Sequence, residues 1–163
     1  MKVLHILASR GEGGLEKHTV DLVNGLAAKG VATGLVGDIS LREKVASNVQ
    51  FFDWDVSRSR MNPMLYLSLL KTIKAFNPDI CHAQANKAGK VLSRIRSYIP
   101  FSKTIVTIHN IKKRLEFTGS LDGAIGVSEA VKTQLLNNYS CRIYNGIETS
   151  FLQFSKPEPI RSS

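Results

Sequence analysis

The chain is short of the residues that carry metal, redox or membrane-spanning chemistry. It has two cysteines, one tryptophan and five prolines in 163 residues. Cys81 and Cys141 stand far apart with no C-x-x-C spacing, which supports neither a metal site nor a disulfide framework. Each lies in an apolar, strand-like run, so both are expected to be buried free thiols. No apolar run approaches the roughly 20 residues of a membrane-spanning helix. Met1-Lys2-Val3 leads straight into a strand-like segment, so no signal peptide is expected and a cytoplasmic location is. Internal repeats and low-complexity tracts are absent, and a hydrophobic share of 43% predicts one globular domain.

Acidic residues are the scarce charge: 13 against 22 Lys and Arg, a net +9. Their distribution matters more than the total. The stretch from Val56 to Leu115 holds twelve of the basic residues and a single acid, Asp79. Such regional basicity favours phosphates, nucleic acid or an anionic membrane surface, while for any one lysine a solvated face is the ordinary role. Aromatic side chains that could stack on bases are few in this stretch (Tyr66, Phe76, Tyr98 and Phe101), and most sit at core or helix-end positions. Nucleic acid is therefore not expected as a partner.

What the chain does have is a glycine-rich turn near its start, Ala8-Ser9-Arg10-Gly11-Glu12-Gly13-Gly14-Leu15-Glu16, between an apolar strand and an amphipathic helix. Val3 to Ala8 is apolar on both parities, as in a parallel strand covered on both faces. Leu15, Thr19, Leu22, Val23 and Leu26 recur at helical spacing, Glu16 sits in the first turn and Gly30 ends the helix. Glycine here serves either positive φ or the approach of backbone N–H groups to a bound anion such as a diphosphate. It serves a plain strand-to-helix turn equally well. As a dinucleotide fingerprint the turn is poor, because the last glycine of G-x-G-x-x-G would fall on Glu16.

Further strands are expected over Val31–Val36, Val49–Trp54, Asp79–Ala83, Lys103–Ile108, Gly123–Val127 and Cys141–Tyr144. Asn62-Pro63 opens a helix with its stripe at Leu65, Leu69, Ile73 and Phe76, and Asn77-Pro78 stops it. Ala88, Val91, Leu92 and Ile95 line a helix whose opposite face carries Lys87, Lys90 and Arg94. A last helix runs from its cap Ser128 to about Asn138, and from Thr149 the pattern dissolves into a linker. Strands alternating with helices predict a single Rossmann-like, doubly wound, mostly parallel sheet of six to seven strands. In such sheets ligands bind beyond the carboxyl ends of the strands, at the switch point of strand order. That rule selects Gly13-Gly14, His82-Ala83-Gln84 and His109-Asn110. His5, inside the first strand, reads as a core histidine, and His18 as a solvated one.

Taken together, LHILASRGEGGLE (Leu4–Glu16), LAAKGV (Leu26–Val31), DICHAQ (Asp79–Gln84), TIHN (Thr107–Asn110), GVSEAVK (Gly126–Lys132) and YNGIE (Tyr144–Glu148) resemble the N-terminal domain of family 4, GT-B-fold, retaining glycosyltransferases. The resemblance implies an acceptor-side domain over residues 1–148, followed by the start of an interdomain linker over 149–163. It implies that Gly13 and Gly14 approach the phosphates of a nucleotide-sugar donor and that His109 reaches the donor sugar as the catalytic-centre histidine. It places His82, Gln84, Asn110 and Arg10 toward the acceptor, a glycan or a lipid-linked molecule such as lipopolysaccharide. No metal or other cofactor is implied.

The family's donor-binding Arg, Lys and acidic pair belong to a C-terminal domain absent from this sequence, so the chain alone is expected to be nearly inactive, with its second half supplied in cis or in trans. Lys112 to Leu121 is short for the family, which leaves the acceptor wall open. Lys87, Lys90, Arg94, Lys112, Lys113 and Arg114 would suit peripheral attachment to the anionic inner face of the plasma membrane. A non-catalytic docking or scaffolding subunit of a split transferase is the rival reading.

Overall fold

The computed structural model describes residues 1–11, 13–57, 62–111 and 115–146. Seven parallel strands form one sheet: β1 (Lys2–Leu7), β2 (Ala32–Gly37), β3 (Gln50–Asp53), β4 (Ile80–Gln84), β5 (Lys103–Ile108), β6 (Gly123–Gly126) and β7 (Ser140–Arg142). Their spatial order is β3-β2-β1-β4-β5-β6-β7, so the order reverses between β1 and β4. Among the described residues four α-helices accompany them: α1 (Gly14–Ala28), α2 (Pro63–Phe76), α3 (Ala85–Ile95) and the single turn α4 (Glu129–Lys132). The doubly wound fold expected from the sequence is present.

Two apolar layers explain why β1 is apolar on both parities. Leu4 and Ile6 join α2 and α3 through Leu65, Leu69, Ile73, Val91 and Leu92. Leu7 points the other way, into a smaller cluster with Val20, Val23 and Ala27 of α1 and Leu35 of β2. Consecutive side chains on a strand face opposite ways, so His5 shares the α1 side of the sheet with Leu7. Gly34, a weak β-former in β2, leaves room for α2: a Cβ there would lie 3.1 Å from the Phe76 ring.

Three expectations are corrected. In α1 the buried stripe is Glu16, Thr19, Val20, Val23 and Ala27, rotated from the Leu15-Leu22-Leu26 side. Cys141 is exposed, whereas Cys81 is buried. The reason is position: β7 is an edge strand, and Tyr139, Ile143 and Tyr144 around it are exposed as well. Finally, the helix capped by Ser128 ends at Lys132 instead of continuing to Asn138. Buried Asn137 donates to the carbonyls of Thr118 and Leu121, and its own amide oxygen accepts from Tyr139 N. These bonds hold the chain to the 3₁₀ segment Glu116–Ser120, where a helical path would break them.

Gly126 shows how close α4 lies to the sheet. A Cβ at that position would stand 2.7 Å from the backbone nitrogen of Lys132. Gly126→Ala therefore forces backbone apart and is expected to cost about 1–3 kcal/mol of stability. A chemical-denaturation midpoint equal to that of the unsubstituted chain would contradict this.

Candidate functional site

The carboxyl ends of β1, β4 and β5 meet at the switch point, and the glycine turn lies over the first of them. Its glycines are not there for positive φ: Gly13 has φ −87°, and Gly30 is the positive-φ glycine among the described residues. They are there for a carboxylate. Glu16, 6% exposed, accepts from Gly13 N at 3.1 Å and from the Ser9 hydroxyl. A Cβ on Gly11 or Gly13 would come within 3.2 Å of its two carboxylate oxygens. Glu16 thus performs from the third helical position the acceptor half of a capping box. Gly14 differs, because a Cβ there would meet nothing within 4 Å. Its neighbourhood is open space at the start of a 15-residue helix, where N–H groups lack intrahelical partners.

Arg10 leaves the turn toward the β2 and β3 ends. Its Nε donates to Asp38 at 2.8 Å, and its guanidinium lies 3.6 Å from Asp55. The Arg10 hydrogen bond holds the Asp38 carboxyl below its ordinary range. Beside the turn a cleft of about 230 Å³ is lined by Gly13, Glu16, Lys17, Val20, Asp21 and Lys44. Lys17 and Asp21 pair at 2.7 Å, one turn apart along its α1 wall. It shares no lining residue with the histidine group described next, which has the more distinctive chemistry.

All four histidines of the chain gather on one side of the β1–β4–β5 region. His5 and His82 are register partners, their ring centres 5.0 Å apart. His82 Nε2 lies 2.7 Å from Thr107 Oγ1. Gln84, 1% exposed, sets its amide nitrogen 3.3 Å from His82 Nε2. Its amide oxygen lies 3.3 Å from His109 Nε2. The His109 ring then meets His18 of α1 edge-on at 4.9 Å. Through that contact the first two turns of α1 touch the end of β5.

Burial, and secondarily His18, pushes His5 and His109 down to about 4. Burial also drives His82 well below the usual histidine value, with neighbouring imidazoles adding to it. At neutral pH these rings are uncharged, and those of His82 and His109 act as hydrogen-bonding groups. His18, expected to be solvated, is half-buried and part of the group. The missed signal was its spacing: four residues after Gly14, it falls on the same side of the helix start. His82 and Gln84 are buried, whereas His109 is half-buried and Asn110 exposed.

The basic face of α3 is folded onto its neighbours. Lys87 Nζ donates to the Val56 carbonyl at 2.6 Å. Lys90 lies 5.9 Å over the Phe117 ring, and Arg94 donates to the Tyr66 hydroxyl at 2.5 Å. Lys112, Lys113 and Arg114, named with them as a membrane-facing set, lie outside the described residues, as do Arg58 and Arg60. Among the described residues no group of His, Cys, Asp and Glu is arranged to hold a metal ion, and no helix is long and apolar enough to cross a membrane.

Residues 12–151 match the family model described as Glycosyltransferase Family 4. The chain belongs to glycosyltransferase family 4. A comparison with curated protein sequences found no match. Among solved structures this family 4 chain is similar to HepE of Anabaena, crystallised with UDP and glucose, at 21% identity and a TM-score of 0.68 over 92% of the chain. A glycosyltransferase from Rickettsia africae gives 20% and 0.68 over 96%. MurG of Acinetobacter baumannii gives 10% and 0.63 over 91%. These likenesses show the fold, that of the N-terminal domain of a GT-B glycosyltransferase. The family 4 chain spans a little under half the length of each, 46%, 46% and 47%.

Proposed function

We propose that this domain is the acceptor-side half of a retaining glycosyltransferase, which moves a sugar from a nucleoside diphosphate donor to a glycan or lipid-linked acceptor. The observation that carries the reading is the contact between His18 of α1 and His109, the residue after β5. It sets a neutral imidazole beside a helix start whose Gly14 faces open space. A leaving nucleoside diphosphate needs its charge met by N–H donors and a helix dipole, and the sugar needs hydrogen-bonding groups at its hydroxyls. Gly13 N–H is already given to Glu16, so Gly14 and the residues after it are the donors left for phosphate. His109 meets the sugar, and exposed Asn110 and Arg10 face the acceptor. No metal is required by this arrangement.

Residues 1–148 form the domain in this reading, and 149–163 begin the crossing to a donor-binding C-terminal domain in cis or in trans. Without that domain turnover is negligible. An anionic, lipid-linked acceptor at the inner face of the plasma membrane suits the regional positive charge.

Gly14 separates a catalytic reading from a merely structural one. In the helix, alanine is intrinsically better than glycine by about 0.5–1 kcal/mol, and the site has room for the methyl group. Gly14→Ala is therefore expected to stabilise the fold while lowering kcat/KM for sugar transfer about tenfold in the two-domain enzyme. Gly25→Ala, also unobstructed in α1, should stabilise without touching transfer. Undiminished transfer by Gly14→Ala would remove the turn from the donor site.

A further inference from the structure

We propose that Gln84 is a positioning residue that holds the His109 imidazole in one orientation and one tautomer, with the proton on Nε2 and the lone pair on Nδ1. The proposal rests on the reading of His109 as the residue that meets the sugar, and it adds what prepares that residue. An amide oxygen only accepts. With Gln84 Oε1 3.3 Å from His109 Nε2, the neutral ring must donate from that nitrogen. What it then offers elsewhere is an acceptor, suited to a substrate O–H.

The amide is itself oriented. Its nitrogen lies 3.3 Å and 3.5 Å from the two ring nitrogens of His82, and His82 is anchored at 2.7 Å to Thr107 Oγ1. Turning the amide over would reverse the donor and acceptor roles of both rings, so the amide orientation and the His109 tautomer are fixed together. The His82, Gln84 and Thr107 part of this chain is buried, where polar groups hold one arrangement because a broken bond is not replaced by water.

The backbone contributes too. Ala85, immediately after Gln84, has φ 63°, a left-handed conformation that non-glycine residues seldom adopt. Strain of this kind persists where surrounding structure imposes it. Here it lies at the bend that takes β4 into α3, directly after Gln84.

The test is ¹⁵N-edited NMR of the histidine side chains in this chain, which reads the contact without any need for turnover. In the unsubstituted chain His109 is expected as the Nε2–H tautomer, with that proton protected from solvent exchange. Gln84→Leu should remove the protection. Gln84→Glu, nearly isosteric, should keep the proton in place and raise the His109 titration midpoint by about 1–3 units, the effect of an opposite charge at contact distance. The second variant keeps the proposal testable if the leucine variant fails to fold. An unchanged His109 signal and midpoint in Gln84→Glu would overturn it. Because the readout is not activity, a His109 that responds to Gln84 but proves dispensable for transfer would uphold the positioning role and refute the site assignment alone.

Discussion

Lowering the pH from about 7.5 to about 5 is expected to strip about 2 kcal/mol from the stability of this chain through His5 alone. His5 is fully buried, and burial holds its folded-state value at about 4 against 6.5 for the free side chain. Between those two values the unfolded chain takes up a proton that the folded chain refuses. Stability is therefore complete above about pH 6.5 and falls as the pH drops toward 4, at up to 1.36 kcal/mol per unit. His82 adds to the loss in the same direction, as does half-buried His109.

Neither ring nitrogen of His5 has a hydrogen-bond partner among the described residues. His5→Leu should accordingly be as stable as the unsubstituted chain or more so at neutral pH, since a polar group buried without a partner costs about 1–3 kcal/mol. It should also flatten the acid dependence. Urea unfolding at the two pH values, with and without the substitution, measures both. Equal midpoints for the unsubstituted chain at both pH values would contradict the burial argument.

The fold was legible because its signals are local. Asn62-Pro63 and Asn77-Pro78 bracket α2, and the structure shows both caps in use: Asn62 accepts from Met64 N, and Asn77 closes the helix with φ 49°. Apolar runs on both parities announced the strands of a sheet covered on two faces, and the switch-point rule picked the ends of β1, β4 and β5. What was not legible depends on contacts distant in sequence. The end of α4 is decided by Asn137 reaching carbonyls 16 and 19 residues away. Cys141 sits in a strand-like run like that of Cys81, and only the strand order reveals that β7 is an edge.

The site divides the same way. Gly13, Gly14, His82, Gln84 and His109 could be named from the strand ends, but their connections could not. Nothing in the spacing says that Glu16 turns back to occupy the glycine turn, or that Arg10 is paired with Asp38 across 28 residues. That His5, His82, Gln84, His109 and His18 form one connected group follows from the β1–β4 register and from the lie of α1, not from any motif.

In the proposed function His109 meets the donor sugar as a neutral hydrogen-bonding group, and the largest catalytic effect is expected there. At neutral pH its ring is uncharged, since its value lies at about 4, so it acts by directed hydrogen bonding rather than as a charged acid. Loss of one preorganised hydrogen bond at a reacting centre typically lowers turnover about 10²–10³-fold. The side chain is half-buried just beyond the carboxyl end of β5, so its truncation should change stability by no more than about 1 kcal/mol. The decisive measurement is the steady-state rate of sugar transfer by His109→Ala in the two-domain protein, with its unfolding midpoint taken in parallel. The account predicts a fall of about 10²-fold or more in kcat/KM with the fold retained. Transfer at the unsubstituted rate by a folded His109→Ala protein would contradict it.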